Sequence, residues 1–444
     1  MTQVYFTLDS LHAGIADPGM DSMRILSETA LRFPEALSFS SGAPYDGNHD
    51  LANLTFYTER YIKHLRDKGV PEHRITRLLF QYGPVNGLIQ DEVALMLKQD
   101  EGIDVPPEAI MITHGFQEAA LVALRGLFAS PYDVLLSVSP AYVGILGAAR
   151  MLDIPVRGVL EGPEGLDPEA VRAAARAVRA EGKRPAALYL VPDFSNPSGT
   201  VLPLAAREKL LEVAAEEDFL ILEDNPYGLF ARDGESMPTL KSLDARGRVL
   251  YLGSFAKSAF PGARLGYLVA DQEVTEATDT GVTTRTLAQT LSKAKAMYSV
   301  GSSTLSQAVI GGFLVEQNYD LRSATRELAA VYLERLDAVL DALAAEFPAG
   351  GEHGVTWNTP RGGFFLVLKV PFTADLAAME RSARDFGVSW APMSMFYLEG
   401  GGDREIRLGF SNLAPDAIRE GIARLARFVA ATPREIPEPS EGQA

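Results

Sequence analysis

Between Glu108 and Ala270, short apolar runs bounded by turn formers alternate with longer stretches whose apolar positions recur every three or four residues. That alternation predicts strands buried in a mostly parallel sheet, each followed by a helix that covers it. The runs place strands at 109–113, 134–138, 156–159, 187–191, 219–222, 249–253 and 265–269, with helices at 117–128, 168–180 and 205–217. After Gly281 the pattern turns helical, through Leu291, Gln307 and Val315 towards Leu343. From Trp357 on, the spacing predicts a smaller α+β unit, with strands near 364–370 and 405–410 and helices near 374–386 and 415–430. The expected fold class is therefore α/β, a mostly parallel seven-stranded sheet sandwiched by helices, plus a smaller α+β domain. Residues 1–48 are expected to form an arm and part of the smaller domain, 49–320 the large domain and 321–432 the small one. The Pro- and Glu-rich tail, 433–444, is expected to be disordered.

Composition narrows the function. A chain of 444 residues exceeds one ordinary core, and its 47% apolar content can fill two or three. The formal charge of -17 repels nucleic-acid phosphates and anionic lipid, so no nucleic-acid partner is expected. With no cysteine, disulfides, thiolate metal sites and a thiol nucleophile are excluded, and the six histidines show no metal-binding spacing, so no metal is expected. The first 22 residues lack the basic start of a secretory signal. No apolar stretch reaches the roughly 18 residues that span a bilayer. These features read as a soluble cytoplasmic protein without a membrane partner.

In an open α/β sheet, ligands sit beyond the carboxyl ends of the strands, so polar residues there are the candidates. The first run opens into His114-Gly115-Phe116-Gln117 and a helix start, whose free N–H groups suit a phosphate. Ser139-Pro140-Ala141-Tyr142 offers a ring, and Asn196 lies between turn formers in Ser195-Asn196-Pro197-Ser198-Gly199. Asp224 and Tyr227 share the loop Glu223-Asp224-Asn225-Pro226-Tyr227. Each alone also reads as a turn, a cap or a packed ring. The strongest segment is Gly253-Ser254-Phe255-Ala256-Lys257-Ser258-Ala259-Phe260-Pro261-Gly262-Ala263-Arg264-Leu265-Gly266-Tyr267, which sets Ser254, Lys257 and Arg264 between two strands. An ordinary lysine here is a solvated loop residue. The coincidence of amine, guanidinium, hydroxyl, carboxylate, phenol, amide and ring along one sheet argues otherwise.

Together these segments resemble the class I/II aminotransferases of the aspartate-aminotransferase fold, the pyridoxal-phosphate (PLP) transferases of fold type I, over nearly the whole chain. The run around Lys257 is similar to their Schiff-base signature, Asn196-Pro197 to their N-P-x-G element, and Asp224 with Tyr227 to their D-x-x-Y element. Arg407, in Glu-Ile-Arg-Leu-Gly-Phe, resembles the arginine that holds the substrate α-carboxylate. Ser22-Met23-Arg24-Ile25-Leu26 and Ser38-Phe39-Ser40-Ser41-Gly42 resemble the aminoadipate, kynurenine and aromatic aminotransferases, which implies Arg24 and Gly42 near the substrate. Tyr82 looks like the tyrosine lent to a neighbouring subunit's cofactor phosphate, which implies a homodimer with shared sites. The segment 293–312 resembles arylglycine aminotransferases. One departure is Ala256, where the family often carries a second hydroxyl, so the phosphate would lean on Ser254, Arg264 and the 115–117 amides.

The resemblance implies that Lys257 carries PLP and then acts as the base that moves a proton. Asp224 would keep the cofactor ring nitrogen protonated, Asn196 and Tyr227 would hydrogen-bond the ring oxygen, and Tyr142 would stack on the ring. Arg407 and Asn196 would orient the substrate. An amino acid would leave as a 2-oxo acid before a second 2-oxo acid collects the amine. Three rivals remain at this level: another PLP reaction on the same scaffold (oxidase, hydroxylase, decarboxylase or lyase), a non-catalytic PLP-sensing domain, and a plain α/β binding protein.

Overall fold

The apolar runs become strands because they are covered on both faces. The computed structural model describes residues 5–47, 49–232, 237–279, 281–349, 351 and 353–434, so most of the proline-rich tail lies outside the described residues. The central sheet holds seven strands: β1 (Ile110–Thr113), β2 (Asp133–Ser139), β3 (Val156–Leu160), β4 (Arg184–Leu190), β5 (Leu220–Asp224), β6 (Val249–Ser254) and β7 (Gly266–Val269), in the order β1-β7-β6-β5-β4-β2-β3. The pairs from β3 through β6 are parallel, whereas β7 runs antiparallel to both β6 and β1. Every residue of β1 and β2 is buried, which explains continuous apolar runs rather than alternation.

Helices close both faces. α1 (Asp21–Arg32) and α2 (Leu51–Asp67) precede the sheet. α3 (Gly115–Leu127), α4 (Val143–Met151), α5 (Pro168–Ala180) and α6 (Leu204–Glu216) alternate with its strands. In α5 the apolar residues recur on one face, and Asp167 caps the N-terminus by accepting from Glu169 N–H ahead of a proline in the first turn.

The stretch after Gly281 differs from the expected helix. Residues Gly281–Thr286 are extended and pair antiparallel with Glu273–Thr278; only then does α7 (Leu287–Ser299) begin, with Thr286 and Gln289 forming a capping box. Gly-Val-Thr-Thr-Arg-Thr is β-branched at four of six positions, and such side chains fit a pleated ribbon better than a helical turn. α8 (Thr304–Glu316) and α9 (Arg326–Glu346) follow.

A second core forms around a four-stranded antiparallel sheet of β8 (Thr356–Trp357), β9 (Phe365–Lys369), β10 (Ala391–Pro392) and β11 (Glu405–Gly409), backed by α10 (Leu376–Phe386) and α11 (Pro415–Ala431). Phe39 enters this core from the N-terminal side, where Leu37–Ser38 pair parallel to Val388–Ser389. α9 joins the two cores: Tyr332 packs in the first, Leu336 to Leu343 in the second. The crevice between the cores is thus walled by β9, β11 and residues 40–44. Among the described residues no helix is long and apolar enough to cross a membrane.

Candidate active site

The carboxyl ends of β1, β2, β4, β5 and β6 and the first residues of antiparallel β7 open on one sheet edge, around a cavity of about 370 Å³. Gly115, Phe116, Gln117, Tyr142, Asn196, Asp224, Tyr227, Ser254, Lys257 and Arg264 line it together with Gly42 and Arg407. Arg264 precedes its strand instead of following one, and the reversed direction of β7 is what delivers it to the same edge.

At one end, α3 begins at Gly115, whose φ of +68° places it in the left-handed region that glycine adopts freely. A Cβ there would stand 3.1 Å from an Arg264 guanidinium nitrogen, so the bare Cα lets that cation rest on the first turn of the helix. The N–H groups of this turn lack partners within the helix and carry its positive dipole end. Guanidinium, Ser254 and free N–H groups make an anion cradle.

In the middle, Tyr142 meets Phe116 edge to face with centroids 5.6 Å apart, and burial pushes its hydroxyl up to about 12. Asp224 accepts a hydrogen bond from Tyr189 at 2.8 Å and forms no ion pair among the described residues. Burial pushes its carboxyl up to about 7, the Tyr189 bond pulling the other way. A protonated ring nitrogen is the partner such a carboxylate lacks. Tyr227 is buried against Phe364 and Phe365, its hydroxyl beside the Asn196 side chain.

At the other end, Lys257 Nζ donates to the Gly42 carbonyl at 2.9 Å. Burial first, then Arg407 and Arg264, bring its ammonium down to about 8. Gly42 allows this close approach, since a Cβ there would lie 2.2 Å from the Phe365 ring. Arg407 donates to Asn196 Oδ1 and to the Ser40 carbonyl, both at 2.6 Å, between the rings of Phe365 and Phe396 at 4.4 and 4.8 Å. Its Nε is buried without a partner, and burial lowers the guanidinium to about 10. A buried cation held only by neutral acceptors is short of a counter-ion, and a carboxylate would supply one.

An anion cradle, a lone buried carboxylate, a ring to stack on and a lysine of lowered proton affinity fit PLP; the under-partnered arginine fits a substrate carboxylate. Tyr189 and Phe365 are not singled out by the sequence, because a tyrosine or phenylalanine inside an apolar strand reads as core; Ser40, in a bend, and Phe396, in a short 3-10 turn, carry no local signal either. Only contact with Asp224 and Arg407 distinguishes them.

Two expected residues lie elsewhere. Arg24 is a correction: its side chain, 60% exposed, turns to solvent and pairs with Asp21 at 2.8 Å and Glu28 at 3.4 Å. Met23 and Leu26, three residues apart on α1, take the inward face, so residue 24 points outward. Tyr82, 89% exposed on the loop after the Glu72–Phe80 helix, does not line the cavity of its own chain.

Known proteins carry the same frame. The chain is 43% identical over 426 residues to the (S)-3,5-dihydroxyphenylglycine transaminase of Amycolatopsis orientalis, covering 96% of this chain and 95% of that one. It is 32% identical to aromatic-amino-acid aminotransferase 1 of Thermococcus litoralis over 79% of each chain. The α-aminoadipate aminotransferase of Thermus thermophilus, solved with N-(5'-phosphopyridoxyl)-L-leucine, superposes with a TM-score of 0.77 at 27% identity, covering 95% of this chain and 98% of that one. With the family model for aminotransferase class I and II also matching residues 34–425, the chain belongs to the class I and II aminotransferases, whose cofactor is PLP.

Proposed function

We propose that this aminotransferase takes its amine from an α-amino acid with an uncharged aromatic side chain, an arylglycine above all, and passes it to a 2-oxo acid. The observation that carries this reading is the charge inventory of the cavity. Its charged lining residues are Asp224, Lys257, Arg264 and Arg407. The cofactor and the α-carboxylate engage all four. Met23, Leu26, Val143, Phe365 and Phe396 make much of the remaining wall, and with no further cation in the lining a side-chain carboxylate finds no ion-pair partner there and loses its hydration. The dihydroxyphenylglycine and aromatic-amino-acid activities for which the Amycolatopsis and Thermococcus relatives are named support an aromatic donor, whereas an aminoadipate-like donor would need Arg24 to leave Asp21 and Glu28.

When bound, PLP supplies an aldehyde for the amine and an electron-withdrawing ring. Lys257 Nζ would be the residue that holds the aldehyde and, when free, the base placed to take a proton from the substrate Cα. Its lowered proton affinity keeps a neutral amine available near neutral pH. Asp224 holds a proton on the ring nitrogen. Asn196 and Tyr227 would hydrogen-bond the ring oxygen, Tyr142 would stack on the ring, and the Gly115 to Gln117 amides, Ser254 and Arg264 would hold the phosphate. Arg407, braced by Asn196 and Ser40, grips the α-carboxylate and so sets which Cα bond is presented to the ring. That grip favours proton removal over loss of the carboxylate, the decarboxylase alternative. A homodimer in which Tyr82 reaches the neighbouring subunit's site completes the proposal.

Purified enzyme loaded with PLP, with pyruvate as an acceptor that carries no side-chain charge, is offered phenylglycine, 4-hydroxyphenylglycine, phenylalanine, 2-aminoadipate and aspartate singly, and release of the matching 2-oxo acid is followed. The aromatic donors should exceed the acidic ones in kcat/KM by about a hundredfold, the order set by leaving a side-chain carboxylate desolvated and unpaired. A preference for 2-aminoadipate would overturn the aromatic reading.

A further inference from the structure

Beside the cavity, between α1 and α4, lies a second hollow of about 230 Å³. It adjoins the first, with Met23, Gln117 and Val143 lining both. Beyond that shared rim its walls are Met20, Leu121, Gly147 and Met151, with no charged side chain among the described lining residues. About 150 Å³ of apolar space is enough to hold a benzene ring, so this hollow has room for one. Methionines suit such a wall, since their flexible thioethers fill irregular shapes and pack on ring edges.

The face of α4 here is bared by Gly144 and Gly147, and the two glycines differ. A Cβ at Gly144 would collide with Tyr142 at 2.4 Å and Gln117 at 2.6 Å, so that glycine seats the neighbours of the cofactor. At Gly147 a Cβ would meet only the Met20 sulfur at 3.7 Å, an ordinary contact. Glycine inside a helix is less favourable than alanine, and nothing in the packing at 147 requires it. What it leaves is open space. The opposite wall is anchored, because Arg150 of α4 binds Asp17 at 2.8 Å and so ties the segment leading into α1 to α4.

We propose that this hollow is a distal subsite for the donor's side chain, and that the donors include aromatic amino acids extended by a longer linker or a second ring, with Met23 as the gate between the two spaces. The proposal rests on the aromatic reading above. The occupant is the substrate itself because the hollow adjoins, across the flexible Met23 side chain, the cavity that contains Arg407, and because its walls carry no charge.

The test compares wild type with Gly147→Ala and Gly147→Leu on phenylglycine, phenylalanine, homophenylalanine and 4-phenylphenylalanine. Wild type should use the two extended donors within tenfold of phenylalanine. Gly147→Leu should lower kcat/KM for them at least tenfold while phenylglycine stays within twofold, and Gly147→Ala should fall between. Because Gly147 lies outside the first cavity and tolerates a Cβ, the melting temperature of the loaded variants should equal or exceed that of wild type. Wild type that turns over phenylalanine but rejects both extended donors, or a Gly147→Leu loss shared equally by all four, overturns the distal subsite and leaves the aromatic reading standing. No turnover of any aromatic donor overturns both.

Discussion

Lys257 has its reactivity set by its surroundings before any cofactor arrives. Burial, with Arg407 and Arg264 close by, brings its ammonium from the usual lysine range down to about 8. Only the neutral amine attacks an aldehyde, so below that value the reactive fraction falls about tenfold for each pH unit. Apo-protein mixed with PLP should therefore acquire its covalently bound absorbance at a rate that climbs from pH 6 towards pH 8 and levels off above it. An exposed lysine would keep accelerating to beyond pH 10. Stopped-flow absorbance reads the difference, and a rate still rising tenfold per unit between pH 9 and 10 would show that the site does not depress the lysine. Asp224 works in the opposite sense: burial raises it to about 7, and a cationic ring nitrogen would restore its charge. Residue identity makes both of these groups candidates. It does not do so for Tyr189, whose hydroxyl orients Asp224 from inside an apolar strand, because in sequence that tyrosine has the same neighbours as any core residue.

Elements carry these residues, and the first turn of α3 has its own support. Glu118 accepts from the His114 backbone N–H at 2.8 Å and meets fully buried Lys295 of α7 at 3.3 Å; Lys295 in turn reaches Ser302, whose hydroxyl donates to the β1 residue Ile112. The phosphate-facing turn is thereby pinned to α7 and β1 by one buried ion pair. Removing one partner strands the other, so Lys295→Met should destabilise the apo-protein by about 3–5 kcal/mol, and Lys295→Met with Glu118→Leu should regain most of it. Urea unfolding of the three proteins checks this; a single variant within 1 kcal/mol of wild type would mean that the pair supports nothing. At this scale the sequence was most legible where burial is two-sided. The seven sheet strands and α5 follow directly from continuous apolar runs and a three-to-four-residue repeat. Legibility failed where local preference competed with context, as in the Gly281–Thr286 strand, whose threonines outweighed the helical pattern behind it. It failed again on α1, where motif likeness suggested Arg24 but helix geometry turned Met23 and Leu26 inward. A likeness fixes which residue occurs, whereas its direction depends on which face of the element is buried.

At the scale of the whole molecule, the unpaired surface is as informative as the cavity. Phe80, Tyr82, Met297, Val300 and Leu305 are large, apolar and 52–89% exposed. They lie close together, because Thr304 donates to the Leu79 carbonyl and Gly301 packs near Pro84. Apolar surface concentrated in this way marks an interaction site. A second copy of the chain, related by a twofold axis, would cover it and carry each Tyr82 to the partner's phosphate cradle. That arrangement makes a prediction no monomer can satisfy. Lys257→Ala and Tyr82→Ala should each be folded and nearly inactive. If the chains are mixed, unfolded and refolded together, about half of the dimers are mixed by random pairing, and each of those has one site with both Lys257 and Tyr82 intact, so about a quarter of wild-type activity should return. The second site of a mixed dimer carries both lesions and stays silent. Were Tyr82 to act on its own chain's cavity, every site in the mixture would keep one lesion and no activity would return. Sedimentation of the refolded mixture separates that outcome from a simple failure to pair, because a recovered dimer without recovered activity would place Tyr82 in its own subunit's site.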